Sequence, residues 1–200
     1  MSHGDAPPTG RLVVLSGPSG VGKDTVLQAL TSLEPRLRRS VSCTTRPPRP
    51  GETDGVSYHF VDDATFRAMI DRDEFLEWAV VHGELKGTPR AAVQEALARG
   101  EDVILKIDVQ GAAQVRGQQL PGTIFIFLMP PSLEELQERL RRRETEDEAS
   151  LAVRESDARR ELAMAEQYDH RVVNDNVERA AREILGIIAR SRRRHEDGDG

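Results

Sequence analysis

The sequence predicts an α/β protein, a parallel sheet flanked by helices, with a small mixed β lobe and a helical lid attached. Three observations carry that expectation. Val103 to Ile107 and Thr123 to Met129 are continuously apolar and β-branched, which suits strands buried on both faces of a parallel sheet. Segments with apolar residues at helical spacing lie between such runs. A glycine-rich loop, Gly17 to Gly22, joins the first strand pattern directly to the first helix pattern.

Taken in order, Leu12 to Ser16 is a short buried-strand pattern, and Lys23 to Leu33 sets Val26, Leu27, Leu30 and Leu33 at helical spacing. Arg38 to Phe60 departs from the alternation of strands and helices. It is rich in Pro, Thr, Gly and Arg, alternates at Val56, Tyr58 and Phe60, and resembles a small antiparallel β lobe. Asp62 to Ile70 reads as a capped helix with Phe66, Met69 and Ile70 inward, and Ala91 to Arg99 as another helix. Ser132-Leu133-Glu134-Glu135 has the form of a capping box, with Leu133, Leu136 and Leu140 as the stripe behind it. Arg141 to Arg160 is almost wholly charged and has little to bury, so a mobile helical flap is expected there. Val172 and Val173 mark a short strand, and Val177 to Arg190 a last helix with Ile184, Leu185 and Ile188 on one face. One domain is expected over 11–190, with a core of 11–37, 90–140 and 161–190, a lobe of 38–89 and a lid of 141–160. Residues 1–10 read as a short disordered tail and 191–200 as a charged one.

Composition narrows the function classes. A chain of 200 residues can bury a sizeable core, so no disulfide or metal staple is required. The single cysteine, Cys43, admits no intramolecular disulfide and points to a reducing cytoplasm. Met1 to Gly10 is polar with two prolines and no apolar core, unlike a signal peptide. No apolar run approaches the roughly 20 residues of a bilayer span. A net charge of −6 argues against a general nucleic-acid surface.

Gly17-Pro18-Ser19-Gly20-Val21-Gly22-Lys23 matches the first seven positions of the phosphate-binding loop Gly-x-x-x-x-Gly-Lys. Glycines there let successive backbone N–H groups point inward as an anion nest, and the helix that follows presents the positive end of its dipole. Lys23 supplies a full charge to the β- and γ-phosphates. The strand before the loop and the helix after it are the required context. The eighth position should be Ser or Thr for Mg²⁺, but is Asp24, followed by Thr25. Either Asp24 organises the metal through water, or Thr25 takes the hydroxyl role from the next position.

A phosphate loop identifies a nucleotide, not a reaction. Ser42-Cys43-Thr44-Thr45-Arg46-Pro47-Pro48-Arg49-Pro50-Gly51-Glu52 sets two arginines three apart on a proline-stiffened segment. Paired guanidinium groups suit bidentate capture of a phosphate, to which Tyr58 can add a hydroxyl; the competing interpretation is a basic surface loop. Glu77 beside Trp78 reads, on the residues alone, as a helix-surface carboxylate. Cys43 lies inside the arginine segment, so alkylation is expected to block whatever binds there.

At this point the chain resembles the guanylate kinases. The segment from Ser42 to Glu52 is similar to their Ser-x-Thr-Thr-Arg-x-Pro-Arg-x-Gly-Glu signature. It is followed in order by Gly55-x-x-Tyr58-x-Phe60, Phe75-Leu76-Glu77-Trp78-Ala79, Gly87-Thr88 and Ile107-Asp108-Val109-Gln110-Gly111-Ala112. Later marks are Pro130-Pro131-Ser132, Arg139-Leu140-x-x-Arg143-x-Thr145-Glu146 and Val172-Val173-Asn174-Asp175, so the resemblance covers roughly 11 to 190.

The resemblance implies transfer of the ATP γ-phosphoryl to GMP, and to dGMP, with Mg²⁺, in a cytoplasmic enzyme. It implies that Arg46, Arg49 and Tyr58 hold the GMP phosphate and that Ser42, Glu77, Thr88 and Asp108 read guanine. Carboxylates suit that base because its N1–H and N2 amino groups are donors. It further implies that Arg143 and Arg154 reach the ATP phosphates from the lid, with Arg139 as a supporter, and that Asn174 lies beside adenine. The sequence departs from the family at three places: Asp24 for Ser or Thr, Lys86 for a tyrosine at the GMP phosphate, and Lys106 for an acid credited with the metal. Lys86 can serve the phosphate as a point charge. One rival on the same scaffold, a phosphoribosyl-bisphosphate kinase, has no use for Glu77, Asp108 or the Thr-Thr-Arg signature. The other, a peptide-binding scaffold module, usually has a damaged phosphate loop, whereas Lys23 is intact here.

Overall fold

In the computed structural model, which describes residues 10–81, 83–141 and 148–196, β1 (Leu12–Ser16) leads through the glycine loop into α1 (Lys23–Leu33). Then follow β2 (Arg38–Arg39), β3 (Cys43–Thr44), β4 (His59–Phe60), α2 (Asp63–Asp71), β5 (Phe75–Val81) and β6 (Glu84–Pro89). Next come α3 (Arg90–Ala98), β7 (Val103–Lys106), α4 (Val109–Gly117) and β8 (Ile124–Met129). The described chain closes with α5 (Leu133–Arg141), α6 (Glu148–Ala163), β9 (His170–Val173) and α7 (Val177–Glu196). The described residues divide into two compact units, a loop unit within 13–37, 106–109 and 124–196 and a lobe unit within 10–12, 38–105 and 110–123.

In the loop unit β8 pairs in parallel with β1 on one side, from Val13 opposite Ile124 to Ser16 opposite Phe127, and with β9 on the other. β1 is buried along its whole length, and Ile126, Phe127 and Leu128 of β8 are fully buried. Such strands have no solvent face, which is why their sequences do not alternate. α1 packs on α7. Val26, Leu27 and Leu30 of α1 are buried, as are Ala180, Ala181, Ile184, Ile187 and Ile188 of α7, one stripe per helix. Ile187 takes the inward place expected of Leu185, which is half-buried. The Ser132 hydroxyl accepts the Glu135 N–H at 3.1 Å and caps α5, whose Leu136 and Leu140 are buried.

The lobe unit holds β2 and β7, paired in parallel, and a four-stranded sheet of order β4-β3-β6-β5. β5 and β6 form an antiparallel hairpin, and β3 runs antiparallel to β6. β4 lies parallel to β3, so the lobe is mixed, as expected of it as a whole, although its segment 38–60 reads as antiparallel. The long connection from Thr45 to Tyr58 carries the chain back to the start of β3, which allows the parallel pairing. Asp62 accepts the Thr65 N–H at 2.7 Å and caps α2, which lays Phe66 against Phe75 with ring centroids 4.4 Å apart. Cys43, Phe66, Phe75 and Leu85 form the buried core, with Val61, Met69 and Ile70 against it.

β5 is the edge of this sheet, and side chains from α4 and from the turn just after it cover its outer backbone. Gln114 accepts the Trp78 N–H at 3.1 Å and donates to the Trp78 carbonyl at 2.6 Å, while Gln118 donates to the Leu76 carbonyl. Phe66→Ala removes a wholly buried ring and should lower the stability of the protein by about 3–5 kcal/mol in urea unfolding. A loss below about 1 kcal/mol would show that the stacked phenylalanines do not organise this core.

Candidate active site

The turn from β1 into α1 demands a left-handed residue, because Gly22 has a φ of 97°. A Cβ there would also lie 2.6 Å from Asn174 Nδ2, so glycine alone fits the position. Lys23 opens α1 and turns its ammonium back onto the loop, donating to the Gly17 carbonyl at 2.5 Å and the Pro18 carbonyl at 3.0 Å. Burial lowers the Lys23 pKa to about 8, helped by the nearby Lys106 charge and opposed by Glu161, Asp24 and Asp108. The Ser19 N–H donates to Glu161 Oε2 at 3.0 Å. Burial pushes the Glu161 carboxyl up, against the pull of the Ser19 hydrogen bond and the Lys23 charge.

The loop is braced from behind. Asn174 Nδ2 and Arg139 Nη1 both donate to the Val21 carbonyl, at 2.8 and 3.2 Å, and Arg139 Nη2 reaches the Asn174 carbonyl at 3.2 Å. Arg139 is thus a support for the loop. Asn174, sought beside a base, is buried beneath the loop, and its Oδ1 has no partner among the described residues. An open cleft of about 320 Å³ lies alongside, lined by Gly20, Gly22, Thr25, Arg139, Asn174 and Asp175 among others.

Asp24 and Thr25 stand on the exposed first turn of α1, and Lys106 at the end of β7 forms an ion pair with Asp24. Among the described residues no group of three or more His, Cys, Asp or Glu could cage a metal. An ion that arrives on phosphate oxygens, as Mg²⁺ commonly does, needs only one or two protein ligands. Thr25 lines the cleft, while Asp24 pairs with Lys106.

In the lobe unit the arginine segment curls on itself. Arg46, 7 % exposed, pairs with Glu52 through both ends of its fork, Nη1 to Oε2 at 2.7 Å and Nη2 to Oε1 at 2.6 Å. Its guanidinium lies 5.2 Å from the Tyr58 ring centroid and 5.7 Å from that of Phe60. The Arg49 N–H also donates to Glu52 at 2.8 Å, and the Arg49 side chain is exposed. Arg46 and Arg49 together hold the Glu52 carboxyl down at about 2, the Arg46 hydrogen bonds being the main cause. Glu84 lies 3.9 Å from Arg46 and 4.0 Å from Lys86, so Lys86 belongs to the same charged cluster.

Glu77 is not on a helix surface. It lies on β5 opposite Thr88 of β6, 5 % exposed, and its Oε1 accepts the Thr88 hydroxyl at 2.5 Å. Gly87 is required small here, since a Cβ would meet the Phe75 ring at 2.8 Å. Ser42 is half-buried just before β3. Asp108 is carried by the loop unit, where its charge reaches Lys23 and Glu161. Arg143 and the Arg154 side chain lie outside the described residues. Glu52 and Glu161 were not singled out as site residues. Glu52 had a signal, six positions after Arg46 on a proline-stiffened turn, but Glu161 is one acid in a charged run.

A phosphate-loop motif on a parallel sheet, with a buried arginine–glutamate pair and a buried carboxylate–hydroxyl pair on a mixed β lobe, marks a phosphoryl-transfer class of α/β protein. The guanylate kinase family profile matches residues 9–191, and the chain belongs to that family. That makes it a nucleoside-monophosphate kinase. The guanylate kinase of Synechococcus sp. (strain JA-3-3Ab) is 51 % identical over 179 residues, spanning 90 % of this chain and 82 % of that protein. A guanylate kinase of Thermus thermophilus is 50 % identical over 185 residues, 92 % of this chain and 83 % of that one. The solved guanylate kinase of Anaplasma phagocytophilum superposes with a TM-score of 0.76 at 32 % identity, covering 93 % of this chain and 88 % of that one. A gluconokinase of Sinorhizobium meliloti 1021, 19 % identical with a TM-score of 0.52 over 98 % of this chain and all of that one, shares the fold alone.

Cys43 is 3 % exposed and its thiol is pushed up to about 11 by burial, with Asp54 and Glu74 adding to it. Contrary to the sequence expectation, it should resist iodoacetamide at pH 8 until the protein unfolds; fast labelling of folded protein would contradict that burial. The Arg46–Glu52 pair has a pH signature. Because the folded Glu52 pKa is depressed from the ordinary 4.5, its stabilisation is complete above about 4.5 and lost as pH falls toward about 2. Glu52→Gln should lose about 2 kcal/mol at pH 7, with the gap to wild type closing over that window in denaturant titrations. A pH-independent gap would rule the ion pair out as its cause.

Proposed function

We propose that this chain transfers the γ-phosphoryl of ATP to GMP, and to dGMP, giving ADP and the guanosine diphosphate by in-line displacement in the cytoplasm. The observation that carries the proposal is the buried Glu77–Thr88 pair on β5 and β6. A carboxylate held there accepts from the N1–H and N2 amino groups of guanine, where adenine offers an acceptor at N1. Ser42 and Asp108 complete the reading of the base.

The remaining residues have electrostatic work, since phosphoryl transfer is catalysed by positioning and charge neutralisation. Lys23 leaves the Gly17 and Pro18 carbonyls for the β- and γ-phosphates; with a pKa of about 8 it is mostly charged at neutral pH. The backbone of Gly17 to Gly22 cradles the phosphates, and the cleft beside Asn174 takes the adenosine. Arg46, Arg49 and Tyr58 hold the GMP phosphate, with Lys86 as a further charge. An acceptor phosphate is already anionic, so no strong general base is required. Thr25 would hold a Mg²⁺ carried on ATP, with Asp24 kept by Lys106, and the ion's chemistry there is neutralisation of phosphate charge. Arg143 and Arg154 add positive charge when the lid closes and excludes water.

No helix among the described residues is long and apolar enough to cross a membrane, and the acidic net charge speaks for small-molecule partners rather than nucleic acid. Coupled ADP release with GMP, AMP, UMP and CMP tests the function: turnover with GMP alone is expected, and equal use of AMP, or none of any acceptor, would overturn it. Glu77→Ala should lower kcat/KM for GMP by roughly 10²-fold or more while ATP binding stays intact. Lys23→Ala should abolish transfer to every acceptor. A Glu77→Ala protein with wild-type kcat/KM for GMP would refute the base-reading role.

A further inference from the structure

Glu161 stands out because the mechanism above gives it no work, yet it touches the centre of the phosphate loop. It projects from the last turn of α6, far along the chain from the loop, and accepts the Ser19 N–H at 3.0 Å. Lys23 is the cation that acts on it, while Asp108 and Asp157 repel it. A half-buried carboxylate among like charges is thus held by one backbone N–H and attracted by the charge of one ammonium. Those two groups are of the kind a polyphosphate needs, and a triphosphate offers them more charge and more acceptor oxygens.

We propose that Glu161 is an internal stand-in for phosphate. It fills the loop in the nucleotide-free enzyme and must be displaced by ATP, so that occupancy of the loop is linked to the position of α6. The inference rests on the ATP site proposed above and deepens it, adding a residue that sets apparent ATP affinity. Occupied and unoccupied loops form a two-state equilibrium, and only the unoccupied one binds ATP. If Glu161 fills about nine loops in ten, apparent affinity is about tenfold weaker than intrinsic affinity.

The test is calorimetric titration of ATP with Mg²⁺ into full-length wild type, Glu161→Ala, Glu161→Asp and Glu161→Gln, with thermal melting of each without nucleotide. Glu161→Ala should bind ATP about tenfold more tightly and melt lower when nucleotide-free. Glu161→Asp keeps the charge and loses the reach, so its tightening separates release of the seat from removal of a nearby negative charge. Glu161→Gln keeps an acceptor for Ser19 and should fall between. Unchanged or weaker binding in both the Ala and Asp variants would overturn the proposal and leave the ATP site standing; no ATP binding by wild type would overturn both. Should the variants fold poorly, amide exchange decides on the wild type. The Ser19 N–H should be protected without nucleotide, and fast exchange there would equally refute the stand-in.

Discussion

Positive charge drawn in from solvent has to be answered by the chain itself, and both units meet that constraint. In the loop unit the Lys23 ammonium turns to the Gly17 and Pro18 carbonyls and the Ser19 N–H to Glu161. In the lobe unit the Arg46 fork closes on Glu52 between two aromatic rings. An unpartnered charge at either place would carry a desolvation penalty that local packing could not offset. The residues proposed to meet phosphate therefore have internal partners of their own.

The geometry of the loop is in turn held from a distance. Val21 is fixed by Asn174 and Arg139, which come from much later in the chain, and Gly22 is kept bare by the approach of the Asn174 amide. The loop motif specifies what can bind, while residues from α5 and the turn after β9 specify the shape in which it is offered.

Much of this was legible in the sequence where one physical rule acts alone. α1 begins at Lys23 and ends at Leu33 as its spacing indicates, since a glycine entry and a buried Val26-Leu27-Leu30 stripe leave little ambiguity. β1 and β8 were visible because burial on both faces makes a strand uniformly apolar. The hairpin of β5 and β6 was hidden because it breaks its own pattern: Glu77 points inward and Trp78 outward, the reverse of what hydrophobicity suggests. α4 was hidden because small residues, Gly111 to Ala113, give it no strong apolar stripe. Of the proposed site, the residues assigned to phosphate were readable from charge and spacing, and the set proposed to read guanine only through the family resemblance. The carboxylates that partner those charges were not, because a contact such as Glu161 with Ser19 has no local signature.

The glutamines over β5 carry a consequence for the protein in crowded solution. Trp78 and Val80 are exposed on a strand whose outer rim would otherwise present a row of open amides and carbonyls, a template on which a second chain could add itself. Gln114 and Gln118 imitate the missing neighbour, offering side-chain amides in place of another backbone. Two uncharged side chains, one on a short helix and one just past its end, thereby keep an apolar, strand-forming surface from seeding fibre-like association.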